Sequence, residues 1–75
     1  MTDGEVLDRL YERVREARKK HPFFARDEIH ALDVIGDEFN ELLHAIASEP
    51  RERQIDEALD VIATCFRFIA GEHLA

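Results

Sequence analysis

The chain has 75 residues, half the length of a usual domain, so it forms one domain at most. Apolar residues make up 45% and charged residues 36%, with three Gly and two Pro, which excludes a disordered segment and points to patterned helices. A formal charge of −7 argues against DNA or RNA as the ligand, because phosphate backbones need a basic surface.

The spacing predicts a first helix from about Asp3 to Lys20, capped by Thr2 or Asp3. Val6, Leu7, Leu10, Tyr11, Val14 and Ala17 form its apolar stripe, Lys19 and Lys20 suit its negative end, and Pro22 stops it. A second helix starts near Asp27 with Glu28 in its first turn. It carries Ile29, Leu32, Ile35, Phe39, Leu42, Leu43 and Ile46 on one face. Gly36 in its middle costs up to about 1 kcal/mol relative to Ala, which marks close approach by a neighbour or ligand. Ser48-Glu49-Pro50 breaks the pattern, and Pro50 opens a third helix that runs to about Ala70. Its inward set is Ile55, Ala58, Leu59, Ile62, Cys65, Phe66 and Ile69, with Gly71 as its stop. Helices two and three form an antiparallel hairpin, and residues 1–75 make a single all-α, three-helix protomer.

Such a protomer buries only about 60% of its unfolded surface. Its one cysteine, Cys65, allows no internal disulfide, and no Cys/His cluster has zinc spacing. A partner subunit is the remaining source of stability, so the expected assembly is a homodimer or larger homo-oligomer sharing a four-helix core. No apolar run is long enough to span a bilayer, and the acidic start MTDGEVLDRL lacks signal-peptide features. A cytoplasmic location without a membrane partner is therefore expected.

Charge is segregated. Arg9 to Arg26 holds seven basic residues against Glu12 and Glu16, whereas Asp33 to Asp60 holds nine acidic ones against Arg51 and Arg53. Most of these charges suit solvated faces and attraction between helices. Four acids have a further order. Glu38 and Glu41 are three apart on helix two, and Glu57 and Asp60 are three apart on helix three. Residues three apart project from one side, so each pair offers two carboxylates to a single point beside its apolar stripe. One such pair arises by chance on many acidic helices; two pairs on consecutive helices can face each other across a cleft. Clustered carboxylates repel and protonate unless a cation neutralises them, and all-oxygen ligands suit Mg²⁺ or Mn²⁺.

The string Asp37-Glu38-Phe39-Asn40-Glu41, followed by Glu57-Ala58-Leu59-Asp60, resembles the EExxE…ExxD signature of the MazG-like all-α nucleoside triphosphate pyrophosphohydrolases, a superfamily that includes dimeric dUTPases. The likeness spans residues 27 to 70, with Asp37 standing where the signature has its first Glu. It implies hydrolysis of an NTP or dNTP between the α and β phosphates, giving a monophosphate and pyrophosphate. It also implies that Glu38, Glu41, Glu57 and Asp60 hold Mg²⁺, with Glu41 or Glu38 taking the proton from the attacking water. Base recognition then falls to helix one, to the 22–30 segment or to a second protomer.

His30 and His44 lie near the acidic stripe, within possible reach of a phosphate or a bound water, while His21 and His73 sit at helix ends. Glu41-x-x-His44 also matches one ExxH element of a di-iron bundle, but helix three offers Glu57-x-x-Asp60 in place of the second. Phe23 and Phe24, beside Pro22, suit either a partner subunit or a nucleobase, and Cys65 reads as core. The main alternative to an enzyme is a non-enzymatic helical interaction module whose acidic face binds a basic protein partner. Within the chain, the alternative to a metal cage is that the acids are ion-pair partners of the basic residues on helix one. An empty metal cage predicts that Glu57→Gln or Asp60→Asn leaves the metal-free protein as stable or more so; ion pairing predicts the reverse.

Overall fold

A computed structural model describes residues 1–74 and contains three helices: α1 (Asp3–Lys20), α2 (Glu28–Ser48) and α3 (Arg51–Ile69). The fold is all-α, as the periodicity predicts. Ala75, the last residue of the expected domain, lies outside the described residues.

The boundaries follow from local chemistry. Thr2 caps α1 in a reciprocal box with Glu5: the threonine hydroxyl accepts from the Glu5 N–H and the Glu5 carboxylate accepts from the Thr2 N–H. Asp27 caps α2 by accepting from the His30 N–H at 2.8 Å. Pro50 stands one residue before α3 as its cap, not inside it, and makes no side-chain cap hydrogen bond. After α3 the chain turns at Gly71, whose φ of 77° suits a residue without Cβ.

Both α1 and α2 pack on α3, and not on each other. Ion pairs fix the directions. Arg9 meets Asp56, Arg13 meets Asp60, and Arg67 reaches the carbonyls of Ala17 and His21, so α1 runs parallel to α3. The hairpin makes α2 antiparallel. The result is an open layer of 38 × 27 × 19 Å, with a groove between α1 and α2 floored by α3.

The core is small. Its apolar members are Val14, Phe24, Ala25, Ala31, Ala45, Leu59 and Ala63, four of them alanines. Several expected core residues are outside it: Ile69 is 83% exposed, and Val6, Leu7, Tyr11 and Ile62 also face solvent. The stripe on α2 divides. Ile35 and Leu42 are half-buried, Ile29, Leu32, Phe39, Leu43 and Ile46 are between 53% and 71% exposed, and the buried positions of the helix are Ala31 and Ala45, outside the stripe. The physical reason is register: Ala31, Val34 and Ala45 share a side of α2 with Glu38, and that side turns inward. Gly36 likewise departs from expectation, since a Cβ there would meet nothing within 4 Å in this chain. No helix among the described residues is long and apolar enough to cross a membrane.

Candidate metal centre

Three of the four singled-out acids converge. Carboxylate oxygens of Glu38 and Glu41 from α2 and Glu57 from α3 all lie within 4.8 Å of one another. The helical spacing of three turns Glu38 and Glu41 to the same side of α2, and the antiparallel hairpin brings Glu57 to their level. Asp60 lines the same groove, but its carboxylate turns toward α1, where Oδ1 accepts from Arg13 Nη1 at 2.6 Å. Glu57 is buried and accepts from Arg53 Nη2 at 2.6 Å on its own helix.

For Asp60 the ion-pairing branch of the amide expectation applies. Its carboxylate both borders the acid cluster and pairs with an arginine of α1, so Asp60→Asn removes the shortest ion pair of Arg13 and leaves it to Asp56 alone. Burial works against the Arg13 charge, yet the hydrogen bonds and charges of Asp60 and Asp56 outweigh it and raise its pKa above the ordinary value. Glu57 is paired too, but with Arg53 of α3 instead of an α1 arginine.

Two oxygens at the centre have no partner. Glu38 Oε2 and Glu57 Oε2 are shielded from solvent and accept no hydrogen bond. Buried carboxylate oxygens are otherwise almost always satisfied, and an unmet one is costly. Desolvation, followed by the charges of Glu41 and Asp60, pushes the Glu38 carboxyl up to about 7. Glu57 is also raised, first by burial and then by Asp60 and Glu41, with Arg53 pulling the other way. An all-carboxylate set with two buried, unmet oxygens fits a hard divalent cation such as Mg²⁺ or Mn²⁺ and lacks the soft ligands that other metals prefer.

The pH dependence of stability follows. Below about pH 4.5, the ordinary value, Glu38 is protonated in both folded and unfolded chains. Between there and pH 7 the unfolded chain releases the proton and the folded chain keeps it, so stability declines as pH rises and levels off above about 7. Thermal melts in chelator are expected to give a lower Tm at pH 8 than at pH 5.5; a Tm that rises across this window contradicts the repulsive cluster. Glu72, held below the usual carboxylate range, acts only at lower pH.

The groove beside the acids has a volume of about 520 Å³ and runs from Glu38, Glu41 and Asp60 to Lys20, Phe23 and Arg67 at the end of α1. A family model described as phosphoribosyl-ATP pyrophosphohydrolase matches residues 5–68. The chain belongs to that family. As a member, it is a pyrophosphohydrolase of the wider MazG-like all-α superfamily, the group its acidic signature resembles. No curated protein and no solved structure matches the chain.

The histidines near the acids stay apart from this centre. His30 Nδ1 accepts from the Arg26 N–H at 3.0 Å, which ties it to the start of α2, and exposed His44 is not among the converging groups. Of the two phenylalanines in the 22–30 segment, Phe24 is buried under Arg67, with the guanidinium 5.1 Å from its ring centre, while Phe23 is exposed and lines the groove. Arg67 itself is 3% exposed and escapes sequence reasoning; an arginine between Phe66 and Phe68 on an apolar helix is its only signal.

Proposed function

We propose that this chain, one helical domain of a homodimer, hydrolyses a nucleoside triphosphate-type substrate between its α and β phosphates with the aid of Mg²⁺ or Mn²⁺. The convergence of Glu38, Glu41 and Glu57 around two buried, unmet oxygens carries this reading in a chain of a pyrophosphohydrolase family. Phosphoribosyl-ATP, named in the family description, is the first substrate to try, followed by the ordinary NTPs and dNTPs.

Glu38, Glu41 and Glu57 would hold the cation, with Asp60, which lines the same groove, as a fourth carboxylate. The bound cation supplies neutralisation of the polyphosphate and acidification of a water. Glu38 and Glu41 line the groove, so either carboxylate can take a proton from the attacking water. Glu57, buried and fixed by Arg53, has a positioning role.

The dimer is supported by the outer face of α2. Ile29, Leu32, Gly36, Phe39, Leu43 and Ile46 follow alternating spacings of three and four, the pattern of a helix-pairing seam, and the open space over Gly36 admits a second backbone.

Pyrophosphate release with phosphoribosyl-ATP and a panel of NTPs and dNTPs, each with Mg²⁺ or Mn²⁺, tests the activity, and silence across the panel overturns it. Sedimentation equilibrium on the same preparation is expected to show at least a dimer at micromolar concentration; a folded monomer there removes the shared core.

A further inference from the structure

The groove has two chemically distinct ends. The acid cluster lies at the level of Arg13, and Lys20 follows seven residues later on α1, about 10 Å along the axis. At that far end Phe23 lines the groove while 64% exposed, in contrast to Phe24 beside it at 6%. The backbone that carries Phe23 is held in place, because Arg67 Nη2 donates to the carbonyls of His21 at 2.8 Å and Pro22 at 3.4 Å. The His30 ring flanks the Phe23 ring with centres 6.2 Å apart, and its Nδ1 is fixed by the Arg26 N–H. The ion pairs of α1 engage Arg9, Arg13 and Arg18, and among the described residues Lys20 forms none.

We propose that Phe23 is the nucleobase platform of this groove: the base stacks on its exposed face, at the end of the groove away from the carboxylates that receive the polyphosphate. The proposal rests on the pyrophosphohydrolase reading for the orientation of the substrate. Three observations select Phe23. A large aromatic ring left in solvent at the mouth of a groove has apolar area to bury. Its backbone is anchored, so little ordering is lost when a ligand binds. The groove volume of about 520 Å³ falls within the range of small-molecule sites. Stacking is tolerant of base identity, so Phe23 supplies affinity for a nucleoside without choosing among bases. Lys20, bordering the same end, keeps its ammonium free to approach the sugar-phosphate portion.

The test compares equilibrium binding of α,β-methylene-ATP, which cannot be cleaved between the α and β phosphates, with that of inorganic tripolyphosphate, which has no base. Both are titrated with Mg²⁺ into wild type, Phe23→Ala and Phe23→Tyr. Phe23→Ala is expected to weaken the nucleotide by about 5- to 100-fold and to leave tripolyphosphate within about twofold, while Phe23→Tyr restores nucleotide binding. Equal affinity of wild type and Phe23→Ala for the nucleotide overturns the proposal, as does an equal loss for both ligands. Sedimentation equilibrium on Phe23→Ala covers the remaining role: dissociation of the oligomer makes the ring a subunit contact and overturns the platform. If the substrate panel yields no pyrophosphate yet the nucleotide contrast is present, the platform stands and the hydrolysis reading falls.

Discussion

Glu38→Gln is expected to raise the melting temperature of the metal-free protein by several degrees and to lower pyrophosphate release at least about 100-fold. Glu38 is the member of the cluster best suited to this test because no arginine holds it, whereas Glu57 pairs with Arg53 and Asp60 with Arg13, each at 2.6 Å. Replacing its carboxylate removes a charge that burial and its neighbours disfavour, with the carboxyl pushed up to about 7, and the amide N–H₂ gives Glu41 a donor. Glu38 is only half-buried, so solvent screening reduces the gain from what the shift alone would give, to about 1 kcal/mol. In a domain of this size that moves Tm by about 4–8 °C. The stabilisation that Mg²⁺ gives the wild type should shrink in parallel, because a ligand is gone. Asp60→Asn is the built-in contrast: it too removes a carboxylate from the groove, but it leaves the Arg13 guanidinium half-buried without its closest partner, so its metal-free form should melt lower than wild type. Differential scanning calorimetry with and without Mg²⁺, beside a pyrophosphate assay, separates the two. A Glu38→Gln protein that melts lower in chelator and keeps its activity sinks the metal centre.

The contrast between these two acids shows where sequence reasoning reached and where it stopped. Spacings of three and four placed all three helices, and the capping chemistry of Thr2 and Asp27 set two of their starts. The same local rule put Glu38 beside Glu41, and a short hairpin was enough to bring Glu57 opposite. The acidic signature pointed to the superfamily, not to the phosphoribosyl-ATP family whose model matches residues 5–68. Asp60 needed more than local spacing. Its direction is set by Arg13, 47 residues away, and the parallel course of α1 and α3 is a long-range choice that no window of sequence encodes. The split of the α2 stripe had the same origin. Ala31 and Ala45 won the interior over Leu32 and Leu43 because close packing against α3 and convergence of Glu38 with Glu57 select that register, and hydrophobicity alone does not.

Arg67→Met is expected to destabilise the fold by about 3–5 kcal/mol, a large share of the whole stability of so small a domain. Methionine keeps most of the aliphatic volume, so the loss isolates the guanidinium. That group is almost wholly buried and closes the open end of the layer. Nη2 donates to the carbonyls of His21 at 2.8 Å and Pro22 at 3.4 Å, just past the end of α1, and Nη1 adds a contact of 3.4 Å to the Ala17 carbonyl, which already accepts the His21 N–H. Nε donates to Glu72 at 2.7 Å, which ties the turn after α3 to the same centre. Burial opposes the Glu72 charge, but hydrogen bonds and charges from Arg18 and Arg67 outweigh it and hold that carboxyl below the usual range. The Phe24 ring under the guanidinium adds a cation–π contact. Without Arg67 the carbonyls of His21 and Pro22 lose the donor that ties them to α3, and Phe24 loses its cover. A fall in Tm of about 15 °C or more, or loss of a cooperative transition, is the expected result in thermal melts. Glu72→Gln should also lower the Tm, because it leaves the buried Arg67 guanidinium without its carboxylate and Arg18 without its ion pair, although Arg67 keeps its carbonyl partners. An Arg67→Met protein within about 1 kcal/mol of wild type in urea titration would show that α1 is held instead by Arg9 and Arg13 on Asp56 and Asp60.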